Sequence, residues 1–243
     1  MKPLPQKTLI VIPARMAATR LPGKPLADIA GKPMIVRMVE LADRTGLGPV
    51  VVAAGDPEIV AAVEAAGGRA VLTDPALPSG TDRVFAALKA VGGDHDVIVN
   101  LQGDMPTIAP SLIVKATMVL KDGADIATLV SPSDDPDDRA NPNVVKAIVA
   151  EDGRALYFTR APAPHGDGPI QRHVGIYVYT RDALEAFVAA PPSPLELREK
   201  LEQLRALEMG MTIRAGVVEE FPKGVDSPPD LELARAYFAE LGE

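Results

Sequence analysis

An α/β fold with a mostly parallel sheet, helices on both faces and a smaller, irregular α/β lobe in the second half is what this sequence predicts. Three observations carry that expectation. Short, continuous apolar runs alternate with helix-patterned stretches through the N-terminal part of the chain. The 243 residues are 47% apolar, enough to bury one substantial core. The second half replaces the regular alternation with clusters of Pro, Asp, Asn and Gly.

Taken in order, residues 9–12 are an unbroken apolar run stopped by Pro13, which predicts a buried strand. Residues 15–32 are rich in glycine, proline and basic side chains and predict a loop. Residues 33–44 carry apolar side chains at helical spacing, and residues 50–54 read as a second strand. Asp56 and Pro57 predict an N-cap followed by proline at the first helical position, with the helix ending near Gly67 and Gly68. Residues 70–72 are a third strand, 81–91 a third helix and 97–101 a fourth strand. Strands built from continuous apolar runs predict a parallel sheet covered on both faces, with the ligand crevice beyond the strands' carboxyl ends.

Further on, residues 131–143 predict an acidic, turn-rich excursion, and residues 144–149 and 175–179 read as strands. Ser193-Pro194-Leu195-Glu196 is a capping box with proline at the first helical position. Ser227-Pro228-Pro229-Asp230 repeats that logic before a C-terminal helix, with Asp in place of Glu. No internal repeat or linker interrupts the chain, so residues 1–243 are expected to form a single domain.

Composition narrows the function classes. The formal net charge of −8 opposes non-specific binding to nucleic acid, though a local basic loop can still hold a small anion. With no cysteine, disulfides, thiolate chemistry and Cys-ligated zinc are excluded, and His95, His165 and His173 are too scattered for a His-rich metal site. No apolar run approaches a membrane span, and residues 1–8 lack a signal-peptide core, so a cytoplasmic protein is expected.

The loop after the first strand carries Arg15, Arg20, Lys24 and Lys32, with Gly23 and Gly31 among them. Cations that neutralise charge, and glycines that let the backbone approach, suit a polyphosphate at this end of a strand. A solvated surface loop that happens to be basic is the plainer alternative. Neither Gly-x-x-x-x-Gly-Lys-Ser/Thr nor Gly-x-Gly-x-x-Gly is present, so a P-loop and a nicotinamide fingerprint are both missing. Asp104, at the end of the fourth strand, would face the same crevice. A carboxylate beside phosphates is a magnesium site in outline, and an Asp after a strand is equally a turn residue or a helix cap.

Residues 12–15, Arg20-Leu21-Pro22-Gly23-Lys24-Pro25-Leu26, Ser79-Gly80-Thr81-Asp82-Arg83 and Gln102-Gly103-Asp104 follow one another in a recognisable order. So do residues 141–146, Arg172-His173-Val174-Gly175-Ile176-Tyr177, residues 193–196, Leu201-Glu202-Gln203-Leu204-Arg205 and Gly224-Val225-Asp226. This ordered set, spanning nearly the whole chain, resembles the 3-deoxy-manno-octulosonate (Kdo) cytidylyltransferase family. The resemblance implies a nucleotidyltransferase-like fold and transfer of CMP from CTP to the anomeric 2-hydroxyl of Kdo for lipopolysaccharide biosynthesis. It also implies release of pyrophosphate, Mg2+ as cofactor and a homodimer.

Site roles follow from the same resemblance. Pro13, Ala14, Arg15, Arg20, Lys24, Ser79, Gly80, Thr81, Arg83, Gln102 and Asp104 would bind the nucleotide. Arg15 and Lys24 would hold its phosphates, with Ser79, Gly80, Thr81 and Arg83 around the cytosine. Asp104 and Asp226 would bind magnesium. Arg15, Lys24, Asp104 and Asp226 would form the catalytic set. Gln102, Arg160, His173, Tyr177, Glu202, Gln203 and Asp226 would surround the sugar acid.

Plainer readings exist for the sugar positions. Tyr177 alternates within an apolar strand and suits a core, and His173 beside Arg172 suits the surface. Glu202 and Gln203 suit the solvent side of a helix whose buried stripe is Leu197, Leu201 and Leu204. The chain departs from the family pattern at Ala18, where serine is usual, at Met105 in place of Glu, and at Ala54-Gly55 in place of Thr-Asp. The stretch between Arg160 and Arg172 is also short. Activation of a related acid sugar, such as 8-amino-Kdo or a sialic acid, and a non-catalytic nucleotide-binding homologue are the alternatives.

Overall fold

A computed structural model describes residues 7–17, 21–120 and 123–242. In chain order it contains β1 (Thr8–Ala14), a 3-10 turn (Lys24–Leu26), β2 (Asp28–Ile29), β3 (Lys32–Pro33), α1 (Met34–Asp43), β4 (Val50–Ala54), α2 (Pro57–Ala65) and β5 (Ala70–Leu72). Then come α3 (Gly80–Val91), β6 (Val97–Leu101), α4 (Pro110–Val119), β7 (Ile126–Ser133), α5 (Pro136–Ala140), β8 (Lys146–Val149) and β9 (Ala155–Thr159). The chain continues through β10 (Ile170–Thr180), α6 (Arg181–Ala189), α7 (Pro194–Glu199), α8 (Gln203–Glu208), β11 (Ile213–Val217) and α9 (Pro228–Glu240). It gathers into two units: one runs up to residue 114 and resumes at 222, and the other spans residues 115–221.

The first unit is the regular one. Its strands lie in the order β6-β1-β4-β5, every neighbouring pair parallel. Leu9, Ile10, Val11 and Ile12 are each 0% exposed. Successive strand residues point to opposite faces, so complete burial of all four means that both faces of β1 are covered. Val51, Val52, Ala53 and Ala54 show the same for β4. Burying each Val, Leu or Ile side chain contributes about 1.5–3 kcal/mol, which makes these runs the main stabilisation of the sheet. β1 continues through Pro13 to Ala14 rather than stopping at the proline, because both residues still pair alongside Ala53 and Ala54 of β4.

The expected loop at residues 15–32 is partly ordered by its own hydrogen bonds. β2 and β3 form a small antiparallel hairpin whose turn residues, Ala30 (φ 51) and Gly31 (φ 80), are left-handed. Gly31 takes that conformation freely, and Ala30 is held in it by Arg37, which donates to Ile29 O (3.2 Å) and Ala30 O (2.9 Å). The Arg37 guanidinium also lies 4.4 Å over the Phe238 ring of α9. Leu231, Ala234 and Phe238 of α9 pack with Ile29, Met34 and Val225, so the C-terminal helix is fastened beside the first loop.

The second unit is mixed. β7 pairs antiparallel with β10 and parallel with β11, while β8 pairs antiparallel with both β10 and β9. Here the sequence expectations need correction. Residues 131–133 complete β7, with Ser131 fully buried, and only the remainder of the acidic stretch turns, around α5 capped by Asp135. The strand expected at 175–179 begins at Ile170, since Gln171, Arg172 and His173 occupy ladder positions despite their polarity. The single helix expected around Leu197, Leu201 and Leu204 is two helices, α7 and α8, divided at Lys200 (φ 56). Leu197 is 65% exposed, while Leu201 and Leu204 are buried. Both expected capping boxes form: Ser193 N donates to Glu196 Oε2 (3.0 Å) and Ser227 N to Asp230 Oδ2 (2.9 Å).

Candidate active site

A cavity of about 380 Å³ opens in the first unit where β1 and β6 end. Pro13, Ala14 and Arg15 line it from β1, and Leu21, Lys24 and Pro25 from the loop that follows. Ser79, Gly80 and Arg83 contribute from the start of α3, Gln102, Gly103 and Asp104 from the end of β6, and Asp226 from just before α9. This is the carboxyl edge at which parallel sheets hold ligands. Gly103 is needed for closeness: a Cβ there would lie 3.0 Å from Pro13 O and 3.4 Å from Ile12 Cγ2, forcing β6 away from β1.

Lys24 is the centre of the charge arrangement. Its Nζ donates to Asp104 Oδ2 at 2.9 Å and to Asp226 Oδ1 at 3.1 Å, the latter from 202 positions along the chain. Two contacts place Asp226 there. Val225 N donates to Asp104 O (2.7 Å), and Asp230 at the start of α9 accepts from both Asp226 N (3.1 Å) and Ser227 N (2.9 Å). Burial by itself would lower the lysine's pKa; the two carboxylates outweigh burial and hold it above its ordinary value. Lys24 is therefore a permanent cation, suited to neutralising phosphate and unsuited to accepting a proton.

The second basic group is divided. Arg15 is exposed at the rim, while Arg83 is 2% exposed and donates to Asp74 O (3.2 Å), Pro75 O (3.4 Å) and the hydroxyl of Thr73. Burial and the nearby Arg15 charge lower its pKa. The Ala54-Gly55 departure has a packing reason. A Cβ on residue 55 would stand 3.0 Å from Arg83 Nη1 and 3.1 Å from Arg15 Cβ. Asp56 marks the backbone start of α2, yet its carboxylate does not cap that helix; it accepts from Met16 N (2.7 Å) and holds the basic loop instead. Met105, the other described departure, is an apolar core residue at 5% exposure.

At α3, Ser79 Oγ accepts from Asp82 N (3.1 Å) and donates to Asp82 Oδ2 (2.6 Å). Thr81 is buried, accepts from Asn100 Nδ2 (3.3 Å) and does not line the cavity. Both hydroxyls serve the protein's own contacts, so this turn presents mainly the Ser79–Gly80 backbone to the cavity. Gln102 donates to Asn100 Oδ1 (3.4 Å), which links it to the same network. Arg20 and Ala18 lie outside the described residues.

Asp104 and Asp226 suit a magnesium ion. They are hard oxygen donors already converging on one positive charge, the Lys24 ammonium. No cluster of three or more potential ligands exists among the described residues. A bound Mg2+ would thus take one or two protein oxygens, with phosphate and water completing the octahedron.

The sugar-assigned residues other than Gln102 and Asp226 lie in the second unit. The His173 ring makes an edge contact with Phe158 (5.1 Å between centroids) and a tilted one with Tyr177 (5.3 Å). Its Nε2 is 2.9 Å from Thr128 Oγ1, and burial lowers its pKa to about 4. Tyr177 is held well above its ordinary value by burial first, and then by Tyr179 and the Glu202 charge. Glu202 precedes α8 rather than sitting mid-helix and is half-buried, and Gln203, at 7% exposed, does not belong to a solvent-facing stripe.

Arg160 spends its guanidinium on carbonyls: Nε to Glu199 O (3.0 Å), Nη1 to Pro142 O (2.9 Å) and Nη2 to Lys200 O (3.3 Å). A residue that sequence reasoning passed over fixes the surrounding loop. Lys146 is 0% exposed, and its Nζ donates to Asn141 O (2.8 Å), Val144 O (2.7 Å) and Arg160 O (2.9 Å). A lysine between apolar strand residues was its signal, since such a cation stays buried only with a full set of acceptors.

The chain matches the cytidylyltransferase family model over residues 9–213. A 3-deoxy-manno-octulosonate cytidylyltransferase from Parvibaculum lavamentivorans is 58% identical over 98% of this chain and 95% of the relative. One from Rhodospirillum centenum is 57% identical over 96% and 93%. Among solved structures, CMP:2-keto-3-deoxy-manno-octonic acid synthetase complexed with CTP superposes with a TM-score of 0.91 at 40% identity, covering 97% of this chain and 99% of that one. A nucleotidyl transferase from Methanothermobacter thermautotroptrophicus, at 16% identity and a TM-score of 0.67 over 96% of this chain and 98% of that one, shares the fold.

Proposed function

The chain belongs to the 3-deoxy-manno-octulosonate cytidylyltransferase family, and from that premise we propose that it transfers CMP from CTP to the anomeric 2-hydroxyl of Kdo, supplying lipopolysaccharide biosynthesis. The observation that carries this reading is the Lys24 ammonium between Asp104 and Asp226 inside a cavity rimmed by Arg15 and the start of α3. In the reaction the 2-hydroxyl oxygen forms a bond to the α-phosphorus, the bond to the β-phosphate bridging oxygen breaks, and pyrophosphate leaves. The hydroxyl proton passes to solvent.

Two anions must approach, so charge neutralisation and in-line positioning are the main tasks. Lys24 and Arg15 supply fixed positive charge to the phosphates. Lysine is ordinarily protonated near neutral pH, and in the metal-free site Asp104 and Asp226 raise the pKa of Lys24 further. The Ser79–Gly80 turn and Arg83 border the base, and Gln102 contributes a polar side chain to the same cavity. His173, neutral above about pH 4, acts as a neutral hydrogen-bonding group rather than as an acid. Arg160, Tyr177, Glu202 and Gln203 supply further polar contacts to a polyhydroxylated acid, with Gln203 and Arg160 braced by the protein around them. Asp104 and Asp226 would hold Mg2+, which when bound screens phosphate charge and lowers the pKa of the attacking hydroxyl.

We place the working enzyme in the cytoplasm as a single-domain chain, a reading drawn from the sequence pattern, and as a homodimer on the strength of the family resemblance. No helix among the described residues is long and apolar enough to cross a membrane. Light scattering at micromolar concentration should give twice the chain mass. The deciding experiment for the activity is pyrophosphate release from CTP with Kdo, 8-amino-Kdo or sialic acid as acceptor. Kdo should give the fastest release, and the absence of Kdo-dependent release would overturn the assignment.

A further inference from the structure

A buried hydroxyl behind His173 settles which of the ring nitrogens carries the proton. Thr128 is 0% exposed. It sits opposite an irregularity in the β7–β10 ladder: Leu129 pairs with Val174 and Ala127 with Val178, so Thr128 alone faces residues 175–177. Its Oγ1 is 2.8 Å from Ile176 O, 3.2 Å from Val174 O and 2.9 Å from His173 Nε2.

A threonine hydroxyl has one proton to give and lone pairs with which to accept. Carbonyl oxygens only accept. If the hydroxyl proton went to His173, two carbonyl oxygens would face the bare hydroxyl oxygen inside the protein with no hydrogen between them. Buried polar atoms are not left in that arrangement. The proton therefore points at the Ile176 and Val174 carbonyls, and the contact to His173 requires Nε2 to be the donor. Burial keeps the ring neutral near neutral pH, so Nδ1 bears no proton.

Phe158 and Tyr177 fix the ring plane, and hence the direction in which Nδ1 points. Among the described residues none is hydrogen-bonded to Nδ1, and His173 as a whole is half-buried rather than sealed from solvent. We propose that Thr128 is a positioning residue that locks His173 in the Nε2–H tautomer, making Nδ1 a dedicated acceptor for a hydroxyl of the sugar acid. This rests on the reading of His173 as a sugar residue, and it adds what that reading leaves open: the site takes a donor at this point, and a deoxy analogue lacking that hydroxyl is discriminated against.

The test separates the two layers. Nitrogen-15 NMR of histidine-labelled protein near neutral pH reads the protonated nitrogen directly. The native protein should show protonated Nε2 and bare Nδ1 at His173; a protonated Nδ1 overturns the proposal. In Thr128→Val the tautomer populations should shift toward a mixture. The KM for Kdo should rise by up to about tenfold, the worth of one neutral hydrogen bond, with the KM for CTP unchanged. Thr128→Ser should restore both. An unaltered tautomer in Thr128→Val, or an equal rise in both KM values, counts against the positioning role. Added Kdo should move the His173 Nδ1 signal. If the tautomer is as stated and the signal stays still, the sugar role of His173 and the acceptor function fall, while a failed pyrophosphate assay would remove the activity itself.

Discussion

Replacing Lys24 with methionine removes one cation and keeps most of the side-chain bulk. The ammonium lies within 3.1 Å of two carboxylates, and the side chains are 16% exposed for Lys24, 30% for Asp104 and 46% for Asp226. That partial exposure places the stability effect between a surface pair, worth about 0–1 kcal/mol, and a broken buried pair, at about 3–5 kcal/mol. A loss of about 1–2 kcal/mol is expected in thermal unfolding without divalent metal, as two carboxylates are left facing each other. The effect on catalysis should be larger. A preorganised charge lost from an active site costs about 10²–10³-fold in turnover. The assay is pyrophosphate release at saturating CTP and Kdo, alongside a melt that shows the variant folded. Turnover within about threefold of the parent, less than 1 kcal/mol of barrier, would refute the placing of Lys24 at the reacting phosphates.

Three further outcomes are expected. Asp226→Asn keeps shape and removes charge, so turnover at ordinary magnesium should fall by about two orders of magnitude or more while the melting temperature changes little; near-normal turnover would remove Asp226 from the metal. Lys146→Met removes the side-chain donor from the part-buried Val144 and Arg160 carbonyls, while Asn141 O keeps Val144 N, and denaturant unfolding should show a loss of about 1–3 kcal/mol, with the second unit affected. For pH, the folded pKa of His173 is depressed to about 4, so as pH falls the unfolded chain takes up its proton first. Stability is therefore lost as pH falls from the ordinary histidine range toward 4, by at most about 3 kcal/mol, and His173→Gln should flatten that part of the profile measured by chemical denaturation.

The sequence by itself determined the parallel half of the molecule. Apolar runs such as residues 9–12 and 51–54 bury both faces of a strand and leave no other consistent reading. The capping boxes at Ser193 and Ser227 were equally legible, because they are contacts between residues three apart. The basic loop and Asp104 could be placed at one strand edge from the alternation alone. The second half resisted because its strands carry polar side chains at buried positions. Ser131, Lys146 and His173 break the apolar runs, and each is satisfied by a partner that the alternation does not reveal: Glu219 O for Ser131, loop carbonyls for Lys146 and Thr128 across the ladder for His173. Asp226 beside Lys24, Asp56 bracing Met16 instead of capping its helix, and Thr128 behind His173 were settled by tertiary structure alone. Each is a hydrogen bond between residues far apart in the chain, and no local period or propensity encodes which distant donor will meet which acceptor.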